Sequence, residues 1–147
     1  MKPITDLTMP ELRVELARAF GIRFFVSQQV RADIVPAAVA VDDTHPGFIE
    51  KVLKDGWIET QEPDEINWEL LCDFDPTTSM DDAWALVTRH VIPAGDVIRM
   101  HCTIVEGERE FGANIALPHK LGIHQYAETM ELALSRAILA WARENKS

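Results

Sequence analysis

Four stretches of the chain repeat apolar residues at the spacing of a helix, and one pair of stretches alternates apolar with polar. The first helix opens at Thr8-Met9-Pro10-Glu11, where Thr8 and Glu11 have the spacing of a capping box and Pro10 falls in the first turn. Leu12, Leu16, Ala19 and Phe20 share one stripe, and Gly21 suits a left-handed cap, so a helix is predicted over 10–20. A second helix starts near Thr44, carries Phe48, Ile49, Val52 and Leu53, and stops before Gly56. Ser79 or Asp81 can cap a third, whose apolar face is Ala83, Trp84, Leu86, Val87 and Val91 and whose end is marked by Pro93 and Gly95. A long closing helix is predicted over 127–143, with Met130, Leu134, Ala137, Ile138 and Trp141 in phase.

Between the third and last helices, 97–105 and 109–117 flank Glu106-Gly107-Glu108, the signature of a tight hairpin. Phe111, Ala113, Ile115 and Leu117 alternate with Glu110, Gly112 and Asn114, which is the clearest period of two in the sequence. Other segments are less regular. Residues 23–30 fit a strand or a packed loop, Pro36 argues against a central strand over 34–41, 57–60 fits a short extended segment, and 66–74 fits either type. Helices that precede, interrupt and follow a hairpin, each with one apolar face, predict an α+β fold in a single domain over 1–147.

Composition adds to this picture chiefly through charge. The 147 residues are 47% hydrophobic and 26% charged, as in an ordinary globular domain, and carry a net charge of -10. Over 42–82 thirteen acids face only Lys51 and Lys54, a local charge of -11, while the rest of the chain sums to +1. Direct binding to nucleic acid or to an anionic membrane is therefore disfavoured; the acids either solvate a face and keep a small protein soluble, with the tryptophans in the core, or form a docking surface for a basic protein partner, for example one whose nucleic-acid groove such carboxylates could occupy. The partner-binding residues expected on this ground are Glu59, Glu62, Asp64, Glu65, Glu69 and Asp73, with Trp57 and Trp68 as aromatic anchors among them. No apolar run is long enough to cross a bilayer, and 1–12 lack a basic flank and apolar centre, so a cytoplasmic protein is expected. Cys72 and Cys102 are too few for a disulfide framework.

The residues that could carry chemistry do not form a known catalytic pattern. His45, His90, His101, His119 and His124 with the two cysteines include no two-cysteine knuckle and no histidine pair four apart on a helix, and His101 and Cys102 point to opposite faces of a strand. Asp73 with Asp75 and Asp81 with Asp82 could serve as paired acids, but Asp75-Pro76-Thr77-Thr78-Ser79 reads as turn chemistry leading into a helix cap. With no phosphate loop and no nucleophile elbow, a non-enzymatic protein without catalytic, metal or cofactor residues is expected. The alternative is a protein that binds or sequesters a small ligand such as a nucleotide, with Trp57, Trp84 and Phe111 for stacking and Arg23, Arg99 or Arg109 for an anionic group. A homodimer is a frequent form for a domain of this size.

Three segments, LRVELARAFGIR over 12–23, DPTTSMDDAWALVTRH over 75–90 and ETMELALSRAILAWAREN over 128–145, make the chain resemble the phage ABA sandwich domain proteins, small accessory proteins of bacteriophages and prophages. The shared features are an Ala-rich first helix closed by glycine, an aspartate-proline turn before an Ala-Trp helix, a hairpin, and a last helix centred on Arg136-Ala137. The resemblance implies an α/β/α sandwich, an antiparallel sheet with helices on both faces. It also implies a phage or prophage accessory protein in the bacterial host's cytoplasm; such proteins commonly act by occupying a host protein, for example a component of antiviral defence, and the local charge of -11 gives this chain a physical means to do so. The resemblance supplies no functional residue, and the acidic stretch over 42–69 is particular to this chain.

Overall fold

The computed structural model describes residues 2–27, 38–41, 50–51, 53–60, 74–116 and 122–146. It has the helices and antiparallel sheets expected of an α+β fold, with two three-stranded sheets among the described residues where the sequence pattern suggests one. The chain divides into two compact units, Met1–Leu16 with Asp75–Ser147, and Ala17–Phe74.

In the first unit a 3-10 turn, Ile4–Asp6, leads into α1, Met9–Ala19, whose last three residues belong to the second unit. The capping box forms as read: Glu11 N–H donates to Thr8 Oγ1 at 3.3 Å, and Thr8 N–H donates back to Glu11 Oε1 at 3.2 Å. The helix closes on Gly21 at φ 71°, where Ile22 N–H reaches Ala17 O and Gly21 N–H reaches Arg18 O, the two bonds of a Schellman motif.

In the second unit, β1 (Arg23–Ser27) is the middle strand between β2 (Ala38–Val41) and β3 (Trp57–Thr60), antiparallel to both. Residues 38–41 thus form a strand at the edge of the sheet among the described residues, and Pro36 lies outside them. Glu50, Lys51, Leu53 and Lys54 are helical, and Gly56 at φ 91° ends that helix where the sequence placed its stop. The expected cap at Thr44 and the segment 66–73 lie outside the described residues.

Back in the first unit, α2 (Met80–Leu86) is capped by Ser79, not Asp81, and continues through a π-helical turn over Val87–Val91. Ala83, Leu86 and Val87 fill its inward arc, at offsets of three and four residues, so Trp84, one step round from Ala83, is 40% exposed and does not belong to the core face expected of it. The hairpin then forms from β4 (Val97–Val105) and β5 (Glu108–Ala116), joined by Glu106 and Gly107 at φ 52° and 84°. Positive φ at both central residues is the requirement of a type I′ turn, and it makes Glu108 the first residue of the second strand.

Residues 123–127 pair with β5 as a third strand, β6 (Ile123–Ala127), which the sequence pattern did not announce. The closing helix accordingly begins at Met130 rather than Ala127, with Leu132 N–H donating to Thr129 Oγ1 at 3.2 Å. This helix, α3 (Met130–Lys146), lies against β5 and β6 and also against α2 and the 3-10 turn. It is therefore apolar around most of its girth: Leu132, Leu134, Ile138, Leu139 and Trp141 are all buried. Ala113 and Ile115 meet it from β5, and Ile123 and Ala127 from β6. Residues on the alternate positions, Tyr126 and His124 of β6 and His101 and Thr103 of β4, are exposed.

Candidate functional site

Of the expected partner-binding residues, Glu59 and Trp57 lie on β3; Glu62, Asp64, Glu65, Trp68, Glu69 and Asp73 lie outside the described residues. Trp57 is half-buried. Glu59 does not offer a free carboxylate. Arg23 of the neighbouring strand donates to it through Nε and a terminal nitrogen, both at 2.6 Å, and the Arg23 guanidinium also lies 5.5 Å from the centre of the Phe25 ring. The Arg23 hydrogen bonds hold the Glu59 carboxyl below its ordinary pKa, against the opposing effect of partial burial. A bidentate pair of this kind fixes β1 on β3 and leaves little of the charge for a partner.

The other described acids of 42–82 fall into two sets. Glu50, Asp55 and Asp81 are exposed to solvent. Asp75 and Asp82 are occupied by the turn that the sequence suggested. Asp75 accepts from Thr77 N–H at 3.2 Å, from the Thr77 hydroxyl, and from Thr78 Oγ1 at 2.6 Å, while Asp82 Oδ2 accepts from Asp75 N–H at 2.9 Å. Arg13 of α1 approaches Asp75 at 3.5 Å, and the buried Ser135 of α3 donates to Pro76 O at 2.6 Å. Asp75 and its turn thus join three helices, and the Asp75–Asp82 neighbourhood is explained by structure.

The open face of the β4–β5–β6 sheet holds an aromatic contact across three strands. His101 and Tyr126 flank Gly112 in register, and their rings meet edge to face at 5.8 Å and 77°. A Cβ at Gly112 would lie 2.5 Å from the His101 ring and 3.0 Å from Tyr126, so the missing side chain is what lets the rings close over the middle strand. His101 and Cys102 do face opposite ways, as the strand period requires, and His119 lies outside the described residues. Among the described residues no group of three histidines, cysteines or acids stands close enough to hold a metal ion.

Two surface hollows belong to the first unit. One, of about 440 Å³, is lined by Glu106, Glu108, Glu110 and Glu128, with Arg109 and Tyr126 among the remaining lining residues. The other, about 420 Å³, carries one Arg143 and one Glu144 and is balanced in charge. Four carboxylates against one guanidinium repel phosphate, so Arg109 is poorly placed to serve the anionic ligand considered from the sequence. The same lining suits a cation: an ammonium or guanidinium finds carboxylates and the Tyr126 ring together. These glutamates lie outside the acidic segment, and the pairing of β6 with β5 brings Glu128 beside Glu108 and Glu110. No family model, no curated protein and no solved structure matches the chain.

Proposed function

We propose that this protein is a non-enzymatic binding protein that engages a basic protein partner through carboxylates, and that it acts as a phage or prophage accessory protein on a host factor in the bacterial cytoplasm. The observation that carries the binding mode is the hollow lined by Glu106, Glu108, Glu110 and Glu128 beside Tyr126, which has the charge and the aromatic surface to receive a lysine or arginine side chain. The charge of -11 over 42–82 supports the same preference, with Glu50, Asp55 and Asp81 exposed to contribute to it. The phage setting rests on the resemblance carried by 12–23, 75–90 and 128–145. Among the described residues no helix is long and apolar enough to cross a membrane.

Two sets of substitutions separate the acidic regions. Binding of an arginine-rich peptide is measured by titration for the parent chain, for E108Q/E110Q/E128Q, and for E62Q/D64N/E65Q. The expected result is tenfold or greater weakening between about 50 mM and about 500 mM salt, because exposed charges are screened over that range, with the larger loss in the first variant. Unchanged affinity across salt, or full affinity in both variants, refutes the reading.

A further inference from the structure

We propose that β4 is an interface between two copies of this chain, joined antiparallel at its free edge about a two-fold axis through His101. β4 pairs with β5 on one side, and among the described residues no strand pairs with it on the other. It is nine residues long, and every residue but Ile98 is exposed. Ile104 is 73% exposed and Met100 42%. Proteins ordinarily blunt such an edge with lysine, proline, a bulge or a short strand; β4 has an unbroken register with β5 and one fixed charge, Arg99.

What selects a second copy over another partner is the order of residues. Read in either direction from His101, Val97-Ile98-Arg99-Met100-His101-Cys102-Thr103-Ile104-Val105 presents the same succession: a sulfur-bearing residue, a polar one, isoleucine, valine. A two-fold interface must be complementary to itself. With His101 opposite its own copy, Val97 faces Val105, Ile98 faces Ile104, Arg99 faces Thr103 and Met100 faces Cys102 of the second copy. Every apolar residue meets an apolar one, and no two fixed charges are opposed.

The backbone allows this register. The two-residue turn makes Val105 and Glu108 a hydrogen-bonded pair, so alternation directs the N–H and C=O groups of Ile98, Met100, Cys102 and Ile104 away from β5. Those four residues are the ones that oppose each other in pairs across the axis, so the outward groups on both strands meet. Charge is complementary too. Thr103 pairs with Glu110, so Arg99 comes to lie two strand spacings, about 10 Å, from Glu110 of the second copy, within reach of two long side chains. The product is one six-stranded sheet with each α3 on the same side of its own half. The interface shares Val105 and Glu110 with the carboxylate-lined hollow, and its test reads dimer formation with no basic partner present.

The test uses the full chain in sedimentation velocity at about 20 μM, since the dimer fraction depends on concentration. The expected species has twice the 16.6 kDa chain mass. Ile104→Lys places an ammonium against Ile98 of the second copy and should weaken the dimer about 100-fold, with the far-UV circular dichroism of the parent retained. In a C102S background, His101→Cys places two thiols opposite each other at a Cα separation of about 4.5 Å, within disulfide range. With Cys72 also replaced by serine in both chains, it should form a covalent dimer under mild oxidation, whereas the parent lacking both native cysteines should not. A monomeric parent chain, a dimer indifferent to Ile104→Lys, or no cross-link from C72S/H101C/C102S overturns the proposal.

Discussion

Trp141 Nε1 donates to Asp96 Oδ2 at 2.6 Å, and both residues are buried. A buried carboxylate that loses a donor retains its desolvation cost, so Trp141→Phe should lower unfolding free energy by roughly 1.5–3 kcal/mol, measured by urea denaturation. The Arg23–Glu59 pair is more exposed and correspondingly weaker. Because the folded-state pKa of Glu59 is depressed, its contribution is complete above the ordinary glutamate value and fades as acid carries the pH down through the folded value. Glu59→Gln should therefore cost about 0.5–1 kcal/mol near neutrality, and the difference from the parent chain should close as the pH falls below about 4.3. Thermal melts of both proteins along a pH series check this. The sequence marks Glu59 as an acid among acids. That it belongs to Arg23 follows only from strand pairing across 36 residues, which no local pattern encodes.

Elements whose ends are set by their own neighbours were legible. The Thr8–Glu11 box, the Gly21 and Gly56 stops, Ser79 as one of two candidate caps and the hairpin turn all depend on side chains within a few residues of the backbone they serve. Ser79→Ala should accordingly cost about 1 kcal/mol and Ser79→Gly only a few tenths, a contrast that thermal denaturation of the two variants can measure. β6 was not legible. Its five residues, Ile123 to Ala127, alternate correctly in burial, but His124 and Gln125 have weak strand preference and the strand exists because β5 offers an edge. Trp84 is a subtler case: helical phase places it beside the apolar face, and only the packing of α2 decides that it faces out. The carboxylate-lined hollow was hidden for the reason β6 was, since Glu128 joins Glu108 and Glu110 only through that third strand.

At the scale of the molecule, the charge asymmetry read from the sequence is divided by the fold. Glu50, Asp55 and Glu59 belong to one compact unit, and Asp75, Asp81 and Asp82 to the other. The first unit is itself assembled from two separated parts of the chain, clasped where Arg13 meets Asp75 and where Arg143 donates to Lys2 O at 2.9 Å across 141 residues. During synthesis on a ribosome 1–16 precedes 75–147, the other part of its unit, by the whole of 17–74. At roughly 5–20 residues per second, the part of the first unit that carries the buried Leu12 and Leu16 waits on the order of ten seconds for the rest of that unit. Nascent chains of this protein thus pass through an interval in which a chaperone has something to hold.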